Sequence, residues 1–237
     1  MLQGGNHEGA RIAFFGGSFD PPHRGHLAIA RAAQTALHLD TVLFAPVGAQ
    51  PLKPQGSTAA FDDRLAMTRL AIAGEPGFGI SLLDAPSALN APNFTIDALQ
   101  SLHSELPANG ALFCLMGADS FLGLRRWHRG AEIPFVAPLI VASRPGRLLD
   151  DLSDLLPAGL TLDPAFTASD APIELHTYAL RNSAGATAPF YLLPGMHIDI
   201  SASSIRQQIP ATLTQPGSGS DLSPAVLNYI VAHSLYR

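Results

Sequence analysis

Cysteine is almost missing from this sequence. Cys114 is the only one among 237 residues, so no internal disulfide can form, which fits a reducing compartment. It sits in the apolar run ALFCLMG and reads as a buried structural thiol. Long apolar runs are lacking as well: none approaches the roughly 18 residues a membrane-spanning helix needs. The opening MLQGGNHEGAR has no basic stretch followed by an apolar one, so no signal peptide is expected and the protein is placed in the cytoplasm, away from membranes. Positive charge is scarce, with 14 Lys and Arg against 19 Asp and Glu and a formal net charge of -5. No basic run exceeds Arg125-Arg126. Nucleic acid is therefore not an expected partner, because phosphate neutralisation supplies most of that affinity. A small anionic ligand needs only a few well-placed cations. No Ser–His–acid set, activated cysteine or Schiff-base lysine is evident, so covalent catalysis has no support.

Hydrophobic residues, at 47%, suffice for a sizeable core. The apolar runs 11–15 (RIAFF), 42–45 (VLFA), 111–116 (ALFCLM) and 137–142 (APLIVA) are continuous, as in strands of a parallel sheet buried on both faces. Between them, 24–37, 60–73 and 95–105 carry helical spacing. In the second, Phe61, Leu65 and Ile72 are expected to share the inward stripe, with Arg64 and Arg69 away from it. Alternating strands and helices predict an α/β fold, a doubly wound, mainly parallel sheet with helices on both faces. One domain spans 1–237, with a flexible tail at 1–10. An irregular insertion is expected at about 147–196, where only 174–180 and 189–193 read as strands. A strand HIDI at 197–200, a Gly/Ser-rich link at 215–221 and a helix from Ser223, with Val226, Leu227, Ile230 and Val231 inward, complete the chain. Ligands of such sheets bind beyond the carboxyl ends of the strands, where the strand order reverses, hence just after Phe15.

That position carries FFGGSFDPPHRGHL, residues 14–27. Gly16 and Gly17 let the backbone bend and approach a ligand without Cβ obstruction. Asp20-Pro21-Pro22 delays any helix to about Pro22–Arg24, because a residue before proline is pushed out of the α region. The first turn of that helix then carries His23 and His26 on one face. Its free amides and positive dipole end attract phosphate, and two imidazoles can donate to a polyphosphate whose charge shifts during reaction. A plain strand–turn–helix corner with capping histidines is the alternative. G-x-G-x-x-G is absent, so hydride transfer on a bound NAD is not implied.

GGSFDPPHRGH resembles the G-[TS]-F-D-P-x-H-x-G-H signature of nucleotidyltransferases with an H-x-G-H motif, most closely the bacterial nicotinate-nucleotide adenylyltransferases of NAD biosynthesis. The resemblance implies a Rossmann-like fold in which His23 and His26 contact ATP phosphates, with Gly16, Gly17, Ser18, Phe19 and Gly25 around the nucleotide. ISASSIR, at 200–206, is similar to the family's I-S-[SA]-T-x-[IV]-R motif. It implies ATP contacts from Ile200, Ser203 (in place of the usual threonine) and Arg206. Alone, the serines read equally as helix caps and Arg206 as a solvated helix residue. GAQPLKP is similar to the family's P-N-x-x-P-P-H-[KR] loop. Lys53 takes the basic position, while Val47 and Leu52 stand where asparagine and histidine are usual. NAPNFT, at 90–95, resembles N-x-P-x-[YF]-T and implies acceptor contacts near Asn93 and Thr95; a turn with Thr95 capping the next helix explains it too. MGADSFLGLRRWHR, at 116–129, resembles the family segment in which an aspartate lies by the ribose and a tryptophan stacks on the pyridine ring. It implies acceptor contacts from Gly117, Asp119 and Trp127. Asp119 also reads as a helix N-cap. A flat ring among polar neighbours suits stacking, and Trp127 is the only tryptophan.

The implied reaction joins AMP from ATP to nicotinate mononucleotide, with Mg²⁺ bridging ATP oxygens and no protein metal ligands expected. Nicotinamide mononucleotide or phosphopantetheine as acceptor, and a non-catalytic nucleotide sensor, are the competing readings. The resemblance runs from Phe14 to Gly146 and from His197 to YIVAHSLYR.

Overall fold

The computed structural model describes residues 9–49, 52, 56–87, 91–143, 152–163, 173–194, 200–214 and 221–237. Its elements in chain order are β1 (Arg11–Gly17), α1 (Arg24–Leu37), β2 (Thr41–Pro46), α2 (Phe61–Ile72), β3 (Phe78–Ile80), α3 (Thr95–Glu105), β4 (Ala111–Gly117) and α4 (Ala118–Gly123). A 3₁₀ turn at Leu124–Arg126 leads to α5 (Ile133–Val136), β5 (Leu139–Ala142), α6 (Leu152–Leu155), β6 (Leu160–Asp163), β7 (His176–Asn182), β8 (Thr187–Leu193), α7 (Ala202–Thr214) and α8 (Pro224–Ala232).

One sheet runs in the order β3-β2-β1-β4-β5-β8-β7-β6. The first six strands of that order pair in parallel, and β7 and β6 join antiparallel. The expected doubly wound α/β architecture is thus observed, and its order reverses between β1 and β4. Alternate residues of β1 explain why the strands read as continuous apolar runs. Ile12 and Phe14 enter a core with α3, α4 and α5 on one face. Ala13 and Phe15 enter a second core with the alanine-rich side of α1 on the other. A third cluster joins Met67 and Ala71 of α2 to Ile205 and Ile209 of α7 and to Val226 and Ile230 of α8. That packing brings the distant α7 beside the β1 loop.

Four expectations change. Residues 147–196 are not merely irregular: their described parts supply β6, β7 and β8, and β8 pairs with β5 in the main sheet. The two strands read at 174–180 and 189–193 are β7 and β8. In α2 the inward stripe is Arg64, Met67, Thr68, Ala71 and Ile72, so Arg64, at 2% exposure, points in rather than out. The physical reason is its hydrogen bonding. Nε donates to the Ala59 carbonyl (3.2 Å), Nη1 to that of Ser18 (2.7 Å) and Nη2 to that of Val47 (2.8 Å). In α8, Val226 and Ile230 face in, but Val231, one position further round, is 42% exposed. Asp119 does not cap α4, whose N-cap is Gly117. The tail at 1–8, most of the HIDI strand (197–199) and the link at 215–220 lie outside the described residues.

A guanidinium serving three carbonyls cannot be removed without leaving buried acceptors bare. Arg64→Ala is expected to lower the unfolding free energy by about 3 kcal/mol, whereas exposed Arg69→Ala leaves it nearly unchanged; urea unfolding of the two variants checks this.

Candidate active site

At the reversal point, the carboxyl ends of β1 and β4 open into a cleft of about 560 Å³, a size that suits a nucleotide-scale ligand. The β1 end shapes it first. Phe19 adopts a left-handed backbone (φ 47°), turning its ring back against Phe15, Phe44 and His26. A Cβ on Gly17 would stand 3.0 Å from that ring, so glycine is what permits the fold-back. Helix α1 begins at Arg24, with His23 as its N-cap. The proline-delayed start is therefore as expected. One of its amides is not free for ligand: Arg24 N–H donates to the Asp221 carbonyl (2.8 Å).

The two imidazoles stack, with centroids 3.7 Å apart. His23 is 8% exposed and His26 is half-buried beneath the cleft, its ring against the edge of Phe19. The backbone N–H of His23 donates to His26 Nδ1 (3.1 Å). A neutral His26 must then carry its proton on Nε2, which makes that atom a donor. Burial, and secondarily the neighbouring His23, hold the His26 pKa well below the usual 6.5. His26 is accordingly a neutral donor at pH 7 before an anion arrives.

From the far side, α7 brings Arg206 to the same corner. Its Nη1 donates to the Asp20 carbonyl (2.6 Å) and its Nη2 to Ser203 Oγ (3.3 Å). Ser201 Oγ accepts from Ser204 N–H (3.1 Å), so for Ser201 the capping explanation holds. Ile200, Ser203 and Arg206 line the cleft with Gly16, Gly17, Ser18, Phe19, Gly25, His23 and His26. Lys53 lies outside the described residues. Of its neighbours, exposed Leu52 and buried Val47 both line the cleft. Val47 serves through its backbone, donating to the Gly17 carbonyl (2.9 Å) and accepting from Arg64.

The β4 end and the segment that enters α3 supply the remaining wall. Asn93, Thr95, Gly117, Asp119 and Trp127 all line the cleft. Trp127 is half-buried, its inner side against the core. Beside it, Phe94 and His128 form a ring pair with centroids 4.3 Å apart. Asn93 is committed to the protein: its Oδ1 accepts from Ala49 N–H (3.0 Å) and its Nδ2 donates to the Ala85 carbonyl (2.8 Å). Thr95 is the first residue of α3 and Phe94 its N-cap, so the capping role expected for Thr95 is not observed.

Sequence reasoning passed over two carboxylates. Asp20, treated only as a helix delay, is a buried acceptor for the amides of Thr58 (2.6 Å) and Ala59 (3.1 Å). Asp84, in LLDAP after β3, lines the cleft at 3% exposure, and its Oδ1 has no hydrogen-bond partner among the described residues. Burial raises its pKa from 3.8 to about 6. No periodicity announces Asp84; only an acid among apolar neighbours hints at it.

With this geometry in place, similarity to known proteins is decisive. The profile of the cytidylyltransferase-like family matches residues 14–208. The probable nicotinate-nucleotide adenylyltransferase of Laribacter hongkongensis (strain HLHK9) is 39% identical over 95% of this chain and 94% of its own. That of Roseiflexus sp. (strain RS-1) is 37% identical, covering 96% and 98%. The chain belongs to the nicotinate-nucleotide adenylyltransferase family. In three dimensions it is similar to the nicotinic acid mononucleotide adenylyltransferase of Plasmodium falciparum, solved in complex with NaAD, with a TM-score of 0.65. That likeness spans 96% of this chain and 97% of the other, and at 17% identity it speaks for the fold alone. Nicotinate-nucleotide adenylyltransferases are nucleotidyltransferases, and among the described residues of this member no helix is long and apolar enough to cross a membrane.

The two unusual ionisations of this nicotinate-nucleotide adenylyltransferase site have opposite signs. The fold keeps the Asp84 proton that an unfolded chain releases near 3.8, so Asp84 makes stability fall as pH rises from 3.8 to about 6. The fold excludes the His26 proton that an unfolded chain accepts at 6.5, so His26 makes stability fall as pH drops below 6.5. Asp84→Asn is expected to stabilise the protein by about 1–3 kcal/mol at neutral pH and by much less near pH 4. His26→Gln is expected to flatten the loss between pH 6.5 and 5. Urea unfolding across this range reads both.

Proposed function

We propose that this protein transfers the adenylyl group of ATP to nicotinate mononucleotide, releasing pyrophosphate and forming deamido-NAD, and that it does so in the cytoplasm. One observation carries the proposal: stacked His23 and His26 with Arg206 form one wall of a cleft whose other wall presents Trp127. Cationic and neutral donors suit a triphosphate, and a partly exposed indole suits a pyridine ring.

The acceptor phosphate attacks the α-phosphorus in line. A P–O bond to AMP forms while the bond between the α-phosphorus and the bridging oxygen breaks, and the electron pair leaves with pyrophosphate. The nucleophile is already an anion at neutral pH, so no general base is needed. Catalysis reduces to alignment and to neutralising spreading negative charge. His26 contributes a fixed Nε2–H, because the His23 amide occupies Nδ1. Its half-buried ring gains a proton more readily once phosphate lies beside it. Arg206 supplies permanent charge from α7, and Lys53 is assigned to the same phosphates. Ser18, Ser203 and Ile200, all in the cleft lining, are assigned to ATP, and Thr95, Gly117 and Asp119, in the same lining, to the acceptor. Asn93 shapes the acceptor loop through the two bonds described above.

Among the described residues no group of three His, Cys, Asp or Glu side chains is placed to hold a metal. Mg²⁺ enters as part of the substrate, on the phosphate oxygens of ATP, keeping most of its waters.

Pyrophosphate release, assayed with ATP and Mg²⁺, should be fastest with nicotinate mononucleotide and weak with its amide or phosphopantetheine. His26→Ala should reduce kcat/KM by about 10²-fold or more, and near-parental turnover in that variant would sink the assignment. Trp127→Ala should raise KM for the acceptor about five-fold while leaving KM for ATP close to the parental value. An equal change in both would remove the tryptophan from the acceptor site.

A further inference from the structure

Helix α8 does not simply stop; it turns its chain back toward the phosphate corner. Ser234 is left-handed (φ 56°), Leu235 N–H donates to the Ile230 carbonyl (3.0 Å) and Ser234 N–H to that of Val231 (3.2 Å). This pair of bonds is the Schellman arrangement, and Leu235 packs onto the cluster of α2, α7 and α8, as the motif favours. Tyr236, again left-handed (φ 61°), then aims its hydroxyl inward and donates to Asp20 Oδ1 (2.7 Å). Two departures from ordinary L-residue backbone within three positions persist only where the surroundings hold them.

The Asp20 carboxylate thereby has three donors, the Tyr236 hydroxyl and the amides of Thr58 and Ala59. Arg206 stands close by, yet it is not among them. Its Nη1 is 3.9 Å from Asp20 Oδ2 and 2.6 Å from the Asp20 carbonyl oxygen. A guanidinium beside a carboxylate with free lone pairs settles on it in bidentate fashion. Here Oδ1 already accepts from both Tyr236 and Ala59 and Oδ2 accepts from Thr58, so no pair of free sites is left for a two-pronged contact, and the arginine stays on the backbone carbonyl while lining the cleft.

We propose that Tyr236 is a positioning residue for adenylyl transfer: by occupying Asp20 Oδ1 it keeps Arg206 off the carboxylate and turned toward the triphosphate. This rests on the reading of Arg206 as a phosphate ligand. Burial and the neighbouring carboxylate also push the Tyr236 hydroxyl well above its usual pKa, so it stays a donor throughout the working pH range. Without it, Asp20 draws Arg206 into a direct pair and the triphosphate loses the charge that α7 supplies.

The same region provides a control. Tyr229 of α8 also donates its hydroxyl to a carboxylate, Asp63 Oδ1 (3.0 Å), away from Asp20. The experiment measures the ATP dissociation constant by titration calorimetry for Tyr236→Phe, Tyr229→Phe, Arg206→Ala and the Arg206→Ala/Tyr236→Phe double variant, each below its unfolding midpoint, with KM for both substrates alongside. Tyr236→Phe should weaken ATP about tenfold and leave the acceptor KM within about twofold, while Tyr229→Phe changes neither. In the Arg206→Ala background, Tyr236→Phe should add almost nothing. Equal losses in the two phenylalanine variants, or the same loss with and without Arg206, overturn the positioning role and leave the function assignment standing. Parental ATP affinity in Arg206→Ala overturns the phosphate role of Arg206, and the inference falls with it.

Discussion

Two buried charges organise the mouth of this sheet. Arg64 lies under the loops that leave β1 and β2, and Asp20 lies within the first of them; neither could remain charged out of water unless nearly every polar atom found a partner. Arg64 finds three carbonyls, one each from the β1 loop, the β2 loop and the entry to α2. Asp20 finds two amides and a hydroxyl, with Arg206 beside it. Their mutual attraction adds to these bonds. The result is that segments 17–20, 47 and 57–59 have one arrangement relative to one another. Phe19 is locked in its left-handed turn, and the start of α1 with His23 and His26 is set by what precedes it.

The polar groups of the cleft fall into two kinds. Asp20, Asn93 and Ser201 are fully engaged with the protein and serve its shape. His26 and Asp84 have their ionisation displaced by burial, the imidazole harder to protonate than in water and the carboxyl harder to deprotonate. Groups so disfavoured by their surroundings gain most when a ligand supplies what is missing, which is the sense in which shifted ionisation marks a functional site.

Much of this was legible beforehand because the signals are local. β1, β2, β4 and β5 are buried on both faces and so read as unbroken apolar runs, and α1 and α3 show clean helical spacing. The β1 corner is written in glycines, prolines and two histidines three apart. What escaped notice depends on distance. β3 is a three-residue strand, too short to show a pattern. β6, and the pairing that joins β7 and β8 to the main sheet, lie in a stretch rich in Pro, Gly and Ala, where pairing partners rather than composition decide the structure. Arg64 looks like a surface residue until the three carbonyls it meets are known. Asp84 and Asn93 take their meaning from loops up to 44 residues away.

The spacing of the Asp20 contacts along the chain also orders the events of folding. Its partners lie 38, 39, 186 and 216 residues further on. Loop closure grows more costly with length, though slowly: going from the nearest to the farthest adds about 1.5 kcal/mol. Contacts of such long range form late. Docking of α7 and α8 onto α2 is what carries Arg206 and Tyr236 across the two longest of these separations to Asp20. The corner of the cleft that holds Arg206 is therefore complete only when segments 186 residues apart have met.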